Sequence, residues 1–302
     1  MTTILSDDII VLIMTGELTS FSLAQEKFIN YLKNQKRSIS TILAYGKDVE
    51  QLAEFLDKKK ITQVTSVLPE HLETFKKELT QKGYTAKSVS RKLNSIKSFY
   101  RFLKKEGIVK DDPAASVSHP KYEIKAPRIL SKMEYRALRD ACRDDIRIAA
   151  IVELMLQAGI RIGEVARLNL EDLKDNEIQI KAYESQPNRT LPLNKAARAA
   201  LDHYLEERPN TRTKAVFVTK TGRPLLVRNI RTSIDRYFRL AGIENAKVND
   251  LRNTWITHHL IAGASVVILS RLAGHKRLST TEKYLQFIKE KPEGKKIKLE
   301  EL

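Results

Sequence analysis

From residue 22 to residue 107 apolar side chains recur at helical spacing. Leu23, Phe28 and Leu32 make one series and Val49, Leu52 and Leu56 another, with breaks near Ser38, at Lys58 to Lys60 and at Gly83. The pattern predicts four or five short helices. In the last of them Val89, Leu93, Ile96, Tyr100 and Leu103 share one stripe, while Lys87, Arg91, Asn94, Ser98, Arg101 and Lys105 share the opposite one. The first stripe is a core face. The second carries cations and short hydrogen-bonding groups without a carboxylate, which suits the backbone of a polyanion; the bland alternative is a solvated surface.

After Gly107 the periodicity stops. Asp111-Asp112-Pro113, Pro120 and Pro127 mark a stretch that resists helix, and it is read as a linker over 111–128 between domains at 18–110 and 129–290. Ser131 with Glu134 three residues on has the spacing of a capping box and opens the second domain. Its helices are interrupted by Glu177 to Lys181 and Arg189 to Leu193, strand-like runs joined by a polar segment with Pro187 and Asn188; these predict a small β-hairpin. A third run, Ala215 to Val218, precedes the turn Lys220-Thr221-Gly222-Arg223-Pro224 and is either an edge strand or a buried loop. The fold class expected is mainly α: an N-terminal helical domain, then a mixed α/β domain with a small sheet.

Composition sharpens this picture. The length of 302 residues favours two cores, and no apolar run approaches the roughly 18 residues of a membrane span. Asp7 and Asp8 precede the apolar stretch Ile9 to Met14, with no basic leader or cleavage site, so a cytoplasmic chain without membrane contact is expected. The single cysteine, Cys142, has no partner for a disulfide or a thiolate metal site. Lys and Arg number 54 against 37 Asp and Glu, a net charge of +17 that points to nucleic acid, or more plainly to a solvated basic surface. The excess is concentrated: between Lys82 and Lys110 the only acidic residue is Glu106.

Three segments far apart in sequence carry the candidate chemistry. Ala158-Gly159-Ile160-Arg161-Ile162-Gly163-Glu164-Val165 places an arginine between a helix-ending glycine and a new helix. Asn249-Asp250-Leu251-Arg252 leads into Thr254-Trp255-Ile256, and Leu272-Ala273-Gly274-His275 is followed nine positions later by Tyr284. Each is weak alone. Together, in this order and spacing, they resemble the signature boxes of the tyrosine recombinase and phage integrase family, most like its compact Xer-type members, over nearly the whole chain.

The resemblance implies a SAM-like helical core-binding domain, with Lys87, Arg91, Lys97, Arg101 and Lys105 on DNA, and a catalytic domain with its site at Arg161, Lys181, Asn249, Arg252, His275 and Tyr284. Tyr284 would attack a DNA phosphate, forming a 3′-phosphotyrosyl link and releasing a 5′-hydroxyl, with neither ATP nor a metal or other cofactor. The arginine pair makes physical sense, because forked, permanently charged donors meet the oxygens on which charge develops. Glu164, a turn after Arg161, is read as orienting it. Tyr284, titrating near pH 10, needs neighbouring cations and a proton acceptor, for which His275 is nearest.

This chain departs from the family pattern twice. The second box usually opens with histidine where Asn249 stands, and Asn253 replaces a frequent histidine after Arg252; an amide cannot act as acid or base near neutrality. His258 and His259 are read as packing or surface residues. The family's catalytic lysine lies in the hairpin, where only Lys181 is available, with Lys220 in reserve. The charged tail at 291–302, with Ile297, Leu299 and Leu302, would dock on a neighbouring subunit or stay disordered. The implied function is site-specific recombination by a tetramer on double-stranded DNA, nucleoid-associated, with a recombinase-like DNA binder of weak catalysis as the alternative.

Overall fold

The computed structural model describes residues 19–123, 126–183, 186–286 and 288. They form two compact units, one up to residue 123 and one from residue 126. The apolar stretch Ile9 to Met14 and the tail at 291–302 lie outside the described residues.

The first unit holds four α-helices among its described residues: α1 (Phe21–Asn34), α2 (Ile39–Asp57), α3 (Pro69–Gln81) and α4 (Ala86–Lys105). Polar side chains start three of them, Ser20, Ser38 and Thr85 accepting from the amides of Leu23, Thr41 and Ser88. The expected apolar stripe of α4 is buried throughout, and Phe28, Leu52, Leu72 and Phe99 complete the core around it. The opposite stripe is less simple. Arg91 gives Asp48 of α2 two bonds, at 2.6 and 3.0 Å, while the buried Lys92 and Ser95 reach the same carboxylate at 2.9 and 2.7 Å. Arg91 is thus engaged within its own unit. A carboxylate this buried persists only when its charge is matched, and here it ties α2 to α4. Burial works to raise the Asp48 pKa, but the bonds from Arg91, Ser95 and Lys92 hold it below the ordinary carboxylate range.

The second unit contains α5 (Lys132–Cys142), α6 (Ile146–Gln157), α7 (Ile162–Val165), β1 (Glu177–Ile180), β2 (Arg189–Pro192), α8 (Lys195–Glu206), α9 (Val227–Leu240), α10 (Val248–Ile261), α11 (Val266–Ala273) and α12 (Ser279–Leu285). The capping box at Ser131 forms, its backbone amide donating to Glu134 at 2.8 Å and its hydroxyl accepting from the Glu134 amide. Helix α6 is apolar almost all round and sits at the centre, its Ile148, Ile151 and Met155 in one core with Leu201 and Tyr204 of α8 and Ile234 and Phe238 of α9. Strands β1 and β2 pair antiparallel, with Ile178 opposite Leu191 and Ile180 opposite Arg189. Lys181 falls one residue past β1. The run at Ala215 to Val218 forms only isolated bridges, Ala215 to Asn169 and Val218 to Pro224, and is otherwise a buried loop. The fold is therefore mainly helical with a single described two-stranded sheet.

Candidate active site

Two glycines shape the site. Past the end of α6, Gly159 turns the chain at φ 62°, and a Cβ there would lie 2.2 Å from the Trp255 ring of α10. That turn delivers Arg161 to the start of α7, where Glu164 accepts from the Arg161 amide at 2.9 Å. Gly274 ends α11 at φ 61°, and a Cβ on it would press against the guanidiniums of Arg189 and Arg161 at 2.9 and 3.0 Å. Only glycine combines that backbone with that crowding.

The last carbonyls of a helix lack intrahelical donors and carry partial negative charge, so they suit guanidiniums. Two consecutive ones at the end of α11 take one arginine each. Arg161 Nη2 donates to Gly274 O at 2.7 Å, and Arg252 Nη2 donates to Ala273 O. Arg252 is 3% exposed and also donates from Nη1 to Gly159 O. Burial, then the like charge of Arg161, lowers its pKa to about 9, with Glu164 working the other way. It stays protonated at neutral pH.

Glu164 is the counter-charge. It accepts from Arg161 Nη1 at 2.9 Å and from Arg189 Nη1 and Nη2 at 2.8 and 2.7 Å. Burial opposes its ionisation, but the paired Arg189 and then Arg161 pull its pKa down to about 2. Arg189 also donates from Nε to Leu272 O at 2.7 Å, so strand β2 is tied to α11 as well as to α7. From the sequence, Arg189 opens the second strand of the hairpin and has no assigned part in the site. A signal was there: the period of two places it on the face of Leu191 and Leu193, and an inward cation demands a carboxylate. Two guanidiniums thus hold the Glu164 carboxylate, and the Arg252 guanidinium, which has no bond to it, adds positive charge to the group.

His275 follows directly on the two carbonyls. Its Nε2 accepts from Arg252 Nη2 at 3.2 Å, since a guanidinium cannot accept, and its Nδ1 therefore carries the proton and donates to the buried Thr281 Oγ1 at 2.7 Å. Burial, then Arg252, Arg161 and Arg189, lowers its pKa to about 4. The ring is neutral at physiological pH. Tyr284, on α12, packs against the small cluster of Trp255, Ile256 and Leu269 and lies parallel to the His275 ring, 6.4 Å between centroids. Its hydroxyl donates to Asn253 Oδ1 at 2.9 Å, and Asn249 Nδ2 donates to the same oxygen at 3.1 Å.

Arg161, Arg252, His275, Tyr284 and, through Asn253, Asn249 are thus brought together. Lys181 is not: it pairs with Glu171 at 2.5 Å and Asp172 at 2.8 Å, which raise its pKa, Asp172 first. Lys220 is exposed in the turn closed by Gly222 N to Thr219 O. His258 is exposed and His259 packs edge-on to Trp255. In the first unit Lys87, Arg101 and Lys105 are exposed, and Lys97 donates to Ala115 O at 3.2 Å.

The family described as "Phage integrase family" matches residues 128–291, and the one described as "Phage integrase, N-terminal SAM-like domain" matches residues 26–107. The chain belongs to the phage integrase family. Among its curated relatives in that family is the tyrosine recombinase XerC of Thermodesulfovibrio yellowstonii, 33% identical over 272 residues that cover 85% of this chain and 89% of the relative. The tyrosine recombinase XerC of Listeria monocytogenes serotype 4b is 30% identical over 282 residues, 88% and 93% of the two chains. Solved integrases share the fold. The Tn1549 transposon integrase in complex with transposon right end DNA has a TM-score of 0.75 at 15% identity, covering 88% of this chain and 94% of that one. A lambda integrase dimer bound to a COC′ core site has a TM-score of 0.73 at 14% identity, covering 86% and 97%. No described helix is long and apolar enough to cross a membrane.

Proposed function

We propose that this member of the phage integrase family, a tyrosine-type site-specific DNA recombinase, uses Tyr284 as nucleophile on a DNA phosphate held by Arg161 and Arg252. The observation that carries the reading is the pair of arginines hung on the consecutive carbonyls of Ala273 and Gly274, beside His275 and the Tyr284 ring. Three guanidiniums against one carboxylate favour a bound anion, and a phosphodiester gains charge on its non-bridging oxygens during attack.

The Tyr284 Oη–H bond breaks as its proton passes to solvent hydroxide, Oη bonds to phosphorus, and the bond to the 5′ oxygen breaks, leaving a 3′-phosphotyrosyl link. The departing oxygen takes a proton and becomes a 5′-hydroxyl. Attack by a 5′-hydroxyl of another strand reverses the sequence and rejoins the DNA. Neutral His275, its lone pair engaged by Arg252, orients that guanidinium on the phosphate. Lys181 is our first candidate for the proton donor, which requires its exchange from Glu171 and Asp172 to DNA, and Lys220 is the second. Intact Arg161, Arg252, His275 and Tyr284 favour an enzyme over a DNA binder that has lost catalysis.

The substrate is double-stranded DNA carrying a specific site. The core-binding domain is taken as 18–110 and the catalytic domain as 129–290, joined by the linker at 111–128. The exposed Lys87, Arg101 and Lys105 are proposed to meet the backbone, with Lys97 and Arg91 nearby. A tetramer would act on two duplexes of the nucleoid in the cytoplasm, with residues 291–302 docked between subunits. The test is covalent trapping on a nicked suicide duplex: the native protein forms a phosphotyrosyl adduct, and Tyr284→Phe binds the DNA and forms none. An adduct with the Phe variant removes Tyr284 from the role.

A further inference from the structure

The mechanism leaves Asn253 unused, although it is 6% exposed and touches the attacking oxygen. Its amide has only one way to sit. Asp250, capping the Lys247 amide at 2.8 Å, can only accept, so the Asn253 Nδ2 that reaches it at 3.1 Å is fixed as the donor end. Oδ1 is then turned to Tyr284 and to Asn249, whose Nδ2 reaches it at 3.1 Å. Against an oxygen that can only accept, the Tyr284 hydroxyl must keep its proton to make the bond.

We propose that Asn253 is a positioning residue that holds the Tyr284 side chain aimed and in its hydroxyl form until a base outside this box removes the proton. The inference rests on Tyr284 being the nucleophile. Loss of the proton would set two oxygens with lone pairs against each other, so the amide disfavours the phenolate. The charged groups facing Tyr284 are the guanidiniums of Arg252 and Arg161, which favour the phenolate, and the Asp250 carboxylate, which opposes it; burial is the largest influence and raises the pKa. His275 is neutral through this range and its Nε2 is occupied by Arg252. The proton therefore passes to solvent hydroxide, giving water and a phenolate. The phenolate then bonds to phosphorus as the bond to the 5′ oxygen breaks, and that oxygen takes its proton from the donor proposed above, Lys181 first.

Tyrosine labelled with carbon-13 at Cζ reads the ionisation directly in the full-length protein, with the Tyr284 resonance assigned by its loss in Tyr284→Phe. The native midpoint should lie above the ordinary tyrosine value near 10. In Asn253→Ala it should fall by roughly half to one unit, the worth of one hydrogen bond. In the near-isosteric Asn253→Asp, where a carboxylate faces the hydroxyl, it should rise further. A midpoint unchanged in both variants overturns the proposal. On suicide DNA the native adduct rate should climb steadily from about pH 6 to 8, whereas Asn253→His, which supplies an acceptor, should be faster at neutrality and show an inflection at roughly 6 to 7. A native-like profile in that variant also overturns it. If instead Tyr284→Phe still forms the adduct, the nucleophile assignment fails, while the titration still reports on the Asn253 bond.

Discussion

At the scale of single residues the site is a balance of charges that water does not share. Glu164 is buried and its pKa is about 2, from an ordinary value of 4.5. A carboxylate with a depressed folded-state pKa stabilises the fold above its unfolded pKa, and that contribution disappears as pH falls from about 4.5 toward 2. Glu164→Gln should therefore lower stability at pH 7 by on the order of 3 kcal/mol and flatten the acid limb of a denaturation-against-pH curve. An unchanged acid limb would show that Glu164 carries no such linkage. His275 adds a second window. Its folded pKa lies below the free imidazole value, so protonation on acidification favours unfolding between about 6.5 and 4. Arg252 tests the fork: Arg252→Lys keeps charge but cannot reach Gly159, Ala273 and His275 together, and adduct formation should fall by roughly 10²–10³. Native rates in a quench-flow assay of that variant would reduce the arginine to a source of field.

At the scale of elements, helix ends and one strand do the positioning. Gly274→Ala places a methyl group against Arg189 and Arg161 at a left-handed backbone position, so it should cost about 1–2 kcal/mol in strain alone and shift both guanidiniums. The expected result is a stable protein that binds DNA and cleaves slowly; wild-type cleavage would mean that the turn and Arg161 are uncoupled. Helix α4 separates two kinds of cation. Lys87→Ala and Arg101→Ala remove exposed charges and should each reduce the salt slope of DNA binding by about one without altering stability. Asp48→Ala does the reverse, stranding buried Lys92, and should destabilise the first unit by roughly 3–5 kcal/mol in urea.

At the scale of the whole molecule, each unit closes its own core, one around α4 and the other around α6. A net charge of +17 on such a frame makes association with DNA an exchange of bound cations for protein cations. Affinity measured by anisotropy should fall by roughly 10³ or more between about 50 and 200 mM salt. A flat response would exclude a contact dominated by phosphates.

The sequence by itself determined the helical character of both units, the capping box at Ser131 and the hairpin, because these are local: periodicity, caps and turn residues act within a few positions; the series Arg161, Arg252, His275 and Tyr284 is legible too, as an ordered pattern that resembles a family. The sequence also placed Arg91 on the outer stripe of α4, since spacing ranks faces and cannot count partners. What only tertiary structure decided is which charges meet. Asp48 draws in Arg91 across 43 residues, Arg189 reaches Glu164 from a strand 25 residues on, and Lys181 settles on Glu171 and Asp172. The two asparagines that stood as losses of imidazole became a single arrangement around Tyr284 once α10 and α12 were packed together. Hydrogen bonds of this kind are fixed by the approach of backbones far apart in sequence, and a one-dimensional pattern holds the donors and acceptors without their distances.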